Sequence, residues 1–122
     1  MNAQKPTVQE VFAMMRQMMG SVPTAIEAAV KVDEGLLYEH LRSRAYAMPP
    51  GGALSEETRT LVYLASALAA GSQACIQAMA NKAKMQNIPS ERVLETVRIA
   101  RFALATKVIG EAEPIFAALA RR

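Results

Sequence analysis

The chain has 122 residues with a formal net charge of +3; 52% are hydrophobic and 20% charged. That balance excludes an intrinsically disordered chain and fits a single domain over residues 1–122, which surface scaling expects to expose ~6,400 Å² once folded. One Cys and one His exclude an intramolecular disulfide framework, a Cys-rich zinc site and a His cluster, so no metal and no cofactor are expected.

The pattern is helical almost throughout, and strand-like alternation is absent. Thr7 is placed to cap a first helix, with Glu10 completing a capping box. That helix carries Val11, Met14, Met15, Met18 and Met19, and Gly20 ends it. Pro23 opens a second helix over about Thr24 to Val32. Asp33 caps a third, with Glu34 near its positive end and an apolar stripe of Leu37, Leu41, Ala45 and Met48. Pro49, Pro50, Gly51 and Gly52 form the clearest loop.

Ser55 caps a fourth helix, with Glu56 and Glu57 in its first turn and Leu61, Leu64, Ala65 and Leu68 on one face. Gly71 and Ser72 interrupt the run, and Ser72 is expected to cap the next helix through its side chain. That helix shows Cys75, Ile76, Met79, Ala80 and Ala83. Asn87 is expected to take a left-handed conformation at its end, with Pro89 beyond. Ser90 is expected to cap a helix striped with Val93, Val97, Ala100, Leu104 and Val108, which Gly110 should stop. Pro114 opens a last helix to about Ala120. The expected fold is all-α, a bundle of about six to seven helices. Its Ala-rich stripes bury little area each, so homo-oligomerisation is expected to complete the core.

From Thr60 to Asn81 no charged residue occurs. Ser66, Gly71, Ser72, Gln73 and Gln77 lie inside the stretch, which therefore reads as two buried helices end to end and not as a membrane span. The first residues lack the order of a signal peptide, so a cytoplasmic location is expected. The basic residues are scattered, without a run of five or six, and aromatic residues are few. Solvated helix faces explain them better than nucleic-acid binding does.

Cys75 is the one candidate nucleophile. As third residue of a helix capped at Ser72 it would meet free amides and the macrodipole, which favour a thiolate. A small buried hydrophobe is the plainer reading. His40, beside Leu37 and Leu41, reads as half-buried and hydrogen-bonded. Glu57 reads as a helix-start carboxylate. Met14/Met18, Met15/Met19 and Cys75/Met79 repeat an i,i+4 spacing. Thiolate and thioether suit Cu(I), but methionine at helical spacing is usually core filler.

Three segments carry a resemblance: Gly20 to Pro23, the run from Gly52 through Ser55 and Leu61 to Leu68, and Cys75-Ile-Gln-Ala-Met79 followed by Ala83, Ser90 and Glu91. Over about residues 8 to 118 the sequence resembles the carboxymuconolactone decarboxylase and alkylhydroperoxidase D-like family. The resemblance implies an all-helical fold assembled as a trimer or hexamer. In the antioxidant branch of that family it implies a pair of Cys separated by two residues, a His four residues after the second, and an upstream Glu. Cys75 matches the second, peroxide-reactive Cys. Ser72, Met79 and Thr60 stand where the resolving Cys, the His and the Glu are expected, and none of the three can do that work. The implied reading is a catalytically degenerate member whose pocket, lined by Thr60, Leu64, Ser72, Cys75 and Met79, takes a small apolar ligand or serves assembly. The alternative is a single-cysteine thiol peroxidase using Cys75 and an external thiol.

Overall fold

The computed structural model describes residues 5–122. Among them are seven α-helices and no strand: α1 (Val8–Met19), α2 (Thr24–Val32), α3 (Glu34–Ala47), α4 (Glu56–Ala70), α5 (Gln73–Met85), α6 (Ser90–Glu111) and α7 (Glu113–Ala120). None of these helices is long and apolar enough to cross a membrane.

The start signals of three helices act as their chemistry dictates. The Thr7 hydroxyl accepts from the Glu10 amide at 3.1 Å, and the Glu10 carboxylate accepts from the Thr7 amide at 3.3 Å. Asp33 accepts from the Gly35 amide at 2.9 Å, and the Ser55 hydroxyl from the Thr58 amide at 3.2 Å. Gly20 and Gly71 close α1 and α4 at φ +87° and +73°, where a side chain would be strained. Asn87 follows α5 at φ +54°.

Three expected boundaries are corrected. Ser72 stands at the N-cap of α5, but its side chain makes no cap bond. Its backbone amide instead donates to the Ala67 carbonyl at 3.0 Å, which serves the end of α4. Pro89, not Ser90, takes the N-cap of α6, and its carbonyl accepts from the amides of Arg92 and Val93. Gly110 does not stop α6, which runs on to Glu111. Lys107 and Glu111 form an ion pair at 2.5 Å across that last turn.

The α1–α3 part holds a core of Val11, Met15, Val22 and Leu37. In the α4–α6 part Leu64, Ala67, Met79, Ala83 and Ala100 are buried. Thr60 of α4 bonds Gln86, just beyond α5, and Tyr63 reaches Cys75. The charge-free stretch is thus an α4–α5 hairpin, folded back on itself and not two helices laid end to end. It turns back because Gly71 supplies a left-handed residue between two apolar faces. α1 packs on α5, and α6 packs on α4, to which Arg92 and Glu57 add an ion pair at 2.6 Å.

The chain exposes 9102 Å², well above the ~6,400 Å² that scaling gives for a compact monomer of this length. A group of exposed apolar side chains lies on the far half of α6 and on α7. There Phe102, Val108, Ile109, Ile115, Phe116 and Leu119 are all exposed.

Candidate functional site

A partly open cavity of about 350 Å³ lies between the α4–α5 hairpin and the α1–α3 unit. Six of its lining residues are methionines: Met14, Met15, Met18 and Met19 from α1, Met48 after α3, and Met79 from α5. The i,i+4 spacing puts the α1 pairs on a common face, and the packing of α1 on α5 turns that face toward Cys75 and Met79. Met15 belongs to the α1–α3 core and is 6% exposed. The remaining chemistry on the wall comes from Cys75, Tyr63, Arg44 and His40.

Cys75 is a free, half-buried thiol at the third position of α5. The Tyr63 hydroxyl lies 3.3 Å from its sulfur, and either atom can supply the proton of that hydrogen bond. The bond to Cys75 is the largest cause holding the Tyr63 phenol up at about 12; burial adds to it, and Arg44 opposes it. Tyr63 therefore stays protonated at neutral pH and is a standing hydrogen-bond partner for the sulfur.

A second cavity, of about 230 Å³, adjoins the first. Met18, Arg44, Met48, Tyr63 and Met79 line both. Its own wall adds Arg59, Lys82, Glu56 and Thr60. Arg59 donates to the Pro49 carbonyl at 2.5 Å and lies 3.7 Å from the Glu56 carboxylate. Gly52 leaves the room that its guanidinium occupies, since a Cβ there would collide with it. Burial lowers the Lys82 pKa, helped by the Arg44 and Arg59 charges and opposed by Glu56. The Thr60 hydroxyl donates to the Gln86 side-chain carbonyl at 2.7 Å, with the Glu56 backbone carbonyl 3.1 Å away.

The residues singled out in the sequence are divided among these places. Cys75 and Met79 line the larger cavity, and Thr60 joins Met79 on the smaller. Leu64 is packed in the core at 4% exposure, and Ser72 sits at the turn; neither belongs to the lining of these two cavities. Glu57 lines neither and is held by Arg92. His40 is exposed and not half-buried, because Leu37 takes the fully buried place on α3 and leaves His40 on the cavity wall.

Tyr63, Arg44 and Lys82 escaped the sequence reading. Lys82 had a signal: Cys75, Met79 and Lys82 follow an i, i+4, i+7 spacing and share one face of α5. Glu56, Arg59, Thr60 and Tyr63 share a face of α4 in the same way.

An all-helical chain with a single thiol on the wall of a methionine-lined cavity is the class that fold and site define. The chain belongs to the carboxymuconolactone decarboxylase family, whose model matches residues 35–118. The matched span runs from α3 into α7, so the four methionines of α1 lie outside it. No curated protein matches the sequence.

Proposed function

We propose that this chain is a catalytically degenerate member of its family that binds a small, largely apolar ligand in the methionine-lined cavity. The observation that carries the reading is the wall itself. Where the family resemblance expects a relay imidazole, Met79 is buried at 4% exposure, and five further methionines face the same space. Methionine adapts to irregular apolar shapes and moves no proton. A cavity of about 350 Å³ falls at the lower end of the range for small-molecule sites.

The reading includes a homo-oligomer, trimer or hexamer, assembled through the apolar surface of α6 and α7. The support is the exposure of 9102 Å², with Phe102 at 72% and Ile115 at 61%. Large apolar side chains left in water on two successive helices are a surface that a partner subunit would cover.

The Tyr63–Cys75 contact favours a second reading, a single-cysteine thiol peroxidase. Attack of the Cys75 thiolate on a hydroperoxide would transfer one oxygen to sulfur, giving the sulfenic acid, while a proton from Tyr63 or water leaves with the alcohol. Two equivalents of an external thiol would then restore Cys75, releasing water and a disulfide. A peroxide-consumption assay with thiol titration separates the two. The first expects one slow oxidation of Cys75 and no turnover. Sustained turnover that vanishes in Cys75→Ala would defeat it in favour of the second.

A further inference from the structure

The two cavities differ in character and share a wall. Toward α1 the lining is thioether and alkyl. Toward the C-terminal half of α5 it is cationic, with Arg44, Arg59 and Lys82 facing one carboxylate, Glu56. Glu56 and the Pro49 carbonyl engage Arg59. Among the described residues, Arg44 and Lys82 have neither an ion-pair nor a hydrogen-bond partner, although both are half-buried. Half-buried cations that share a cavity with a single carboxylate, itself engaged by Arg59, are costly unless something further neutralises them.

We infer that the site takes an amphipathic monocarboxylate, its carboxylate held between Arg44 and Lys82 and its apolar body laid along the methionines beside Cys75. This rests on the ligand-binding reading above and names the chemical class of the ligand. Arg44 is the hinge of the assignment because it lines both cavities, so a single ligand can meet the guanidinium with one end and the thioethers with the other. A guanidinium offers a planar fork to a carboxylate, and the Lys82 ammonium adds a compact charge from the side. A neutral apolar ligand would fill the methionine wall and leave both cations unpaired. A cationic amphiphile would add to the repulsion.

The test is calorimetric titration of the whole protein with decanoate, decanol and decyltrimethylammonium, each below its micellar range. Decanoate is expected to bind about tenfold or more tightly than decanol, and decyltrimethylammonium more weakly than either. Arg44→Gln and Lys82→Gln should each weaken decanoate by about tenfold and leave decanol within about twofold. Bound decanoate should also slow alkylation of Cys75 by iodoacetamide, which places it in this cavity. Equal affinity for decanoate and decanol, or variants that leave decanoate unchanged, would overturn the carboxylate assignment and leave the apolar cavity standing. Decanoate that binds without shielding Cys75 would overturn the placement. If neither decanoate nor decanol binds to protein whose helical circular dichroism is intact, the ligand-binding reading falls as well.

Discussion

The Tyr63 hydroxyl of α4 stands 3.3 Å from the Cys75 sulfur of α5, joining the two arms of the hairpin on the cavity wall. The contact sets the titration of the phenol. With its hydroxyl hydrogen-bonded to sulfur and its ring partly buried, Tyr63 ionises at about 12 against a usual 10.0. Tyr63→Phe should therefore remove one phenolate absorbance step near pH 12. Cys75→Ala should move that step down, because the bond to Cys75 is its largest cause. The unfolded chain ionises first, near pH 10, while the folded chain keeps the proton. This contribution to stability is thus complete below pH 10 and is lost as pH rises toward 12. A urea midpoint followed over that interval should fall less steeply in Tyr63→Phe than in the wild type.

Lys82 runs the other way. Burial, Arg44 and Arg59 all disfavour its charged form, so its pKa in the folded chain lies below the 10.5 of an exposed lysine. At neutral pH the unliganded fold carries that penalty, which is relieved as pH rises through the lowered pKa toward 10.5. Lys82→Met keeps a straight-chain helix former and removes the charge. It should raise the melting temperature of the unliganded protein by roughly 2–4 °C at low salt. The gain should shrink as added salt screens the repulsion. An unchanged or lower melting temperature would mean that Arg44 and Lys82 do not repel across the cavity.

The helices were legible because local chemistry decides them. The Thr7–Glu10 box, the Asp33 and Ser55 caps and Gly71 need nothing beyond their neighbours in sequence. The misread boundaries are those where two elements compete for one residue, as at Ser72, whose amide serves α4. The site was only half legible. Cys75 and Met79 could be placed on one face from their spacing, but which face of α1 meets α5 is a tertiary fact. So the α1 methionines read as core filler, and only the fold turns them toward the thiol. Arg44 and Lys82 read as two of many scattered cations, since their facing one space depends on how α3 lies against the hairpin.

Thr60 shows what replaced chemistry costs structurally. It is 2% exposed, and its hydroxyl donates to the Gln86 side-chain carbonyl across the open end of the hairpin. Thr60→Val keeps the volume and removes the hydroxyl. The partner oxygen would lose its donor, at a cost of about 1–2 kcal/mol after water reaches the half-buried Gln86. Chemical denaturation should register this as a lowered midpoint with an unchanged slope. Thr60→Ser, which retains the hydroxyl and loses a methyl, should be the milder change.

Phe102 and Phe116 test the assembly. Both are exposed on α6 and α7, and burial against another subunit would stabilise each by about 1.5–3 kcal/mol. Phe102→Ser with Phe116→Ser should shift the light-scattering mass toward a single chain at micromolar concentration. Helix content within the α1–α5 region should be retained, because neither side chain contributes to the α1–α3 core. A wild type that scatters as a monomer would remove the oligomer from the proposed function without touching the cavity.

Reconstruction of the lost chemistry is the strictest test of degeneracy. Ser72→Cys would place a second thiol three residues before Cys75 at the start of α5, and mild oxidation should then consume both thiols within one chain. Peroxide turnover should nevertheless stay near that of the wild type, since Met79 and Thr60 still move no proton. Adding Met79→His and Thr60→Glu supplies the imidazole and the carboxylate. The buried glutamate is tolerable because Arg59 and Lys82 line the same small cavity and would offset its charge. The triple variant should turn over hydroperoxide with a dithiol reductant at least about a hundredfold faster than Ser72→Cys alone, the scale of rate that a positioned proton carrier contributes. If Ser72→Cys alone matched the triple variant, protons would already be supplied by groups this chain retains, Tyr63 first among them, and the thiol-peroxidase reading would gain the stronger claim.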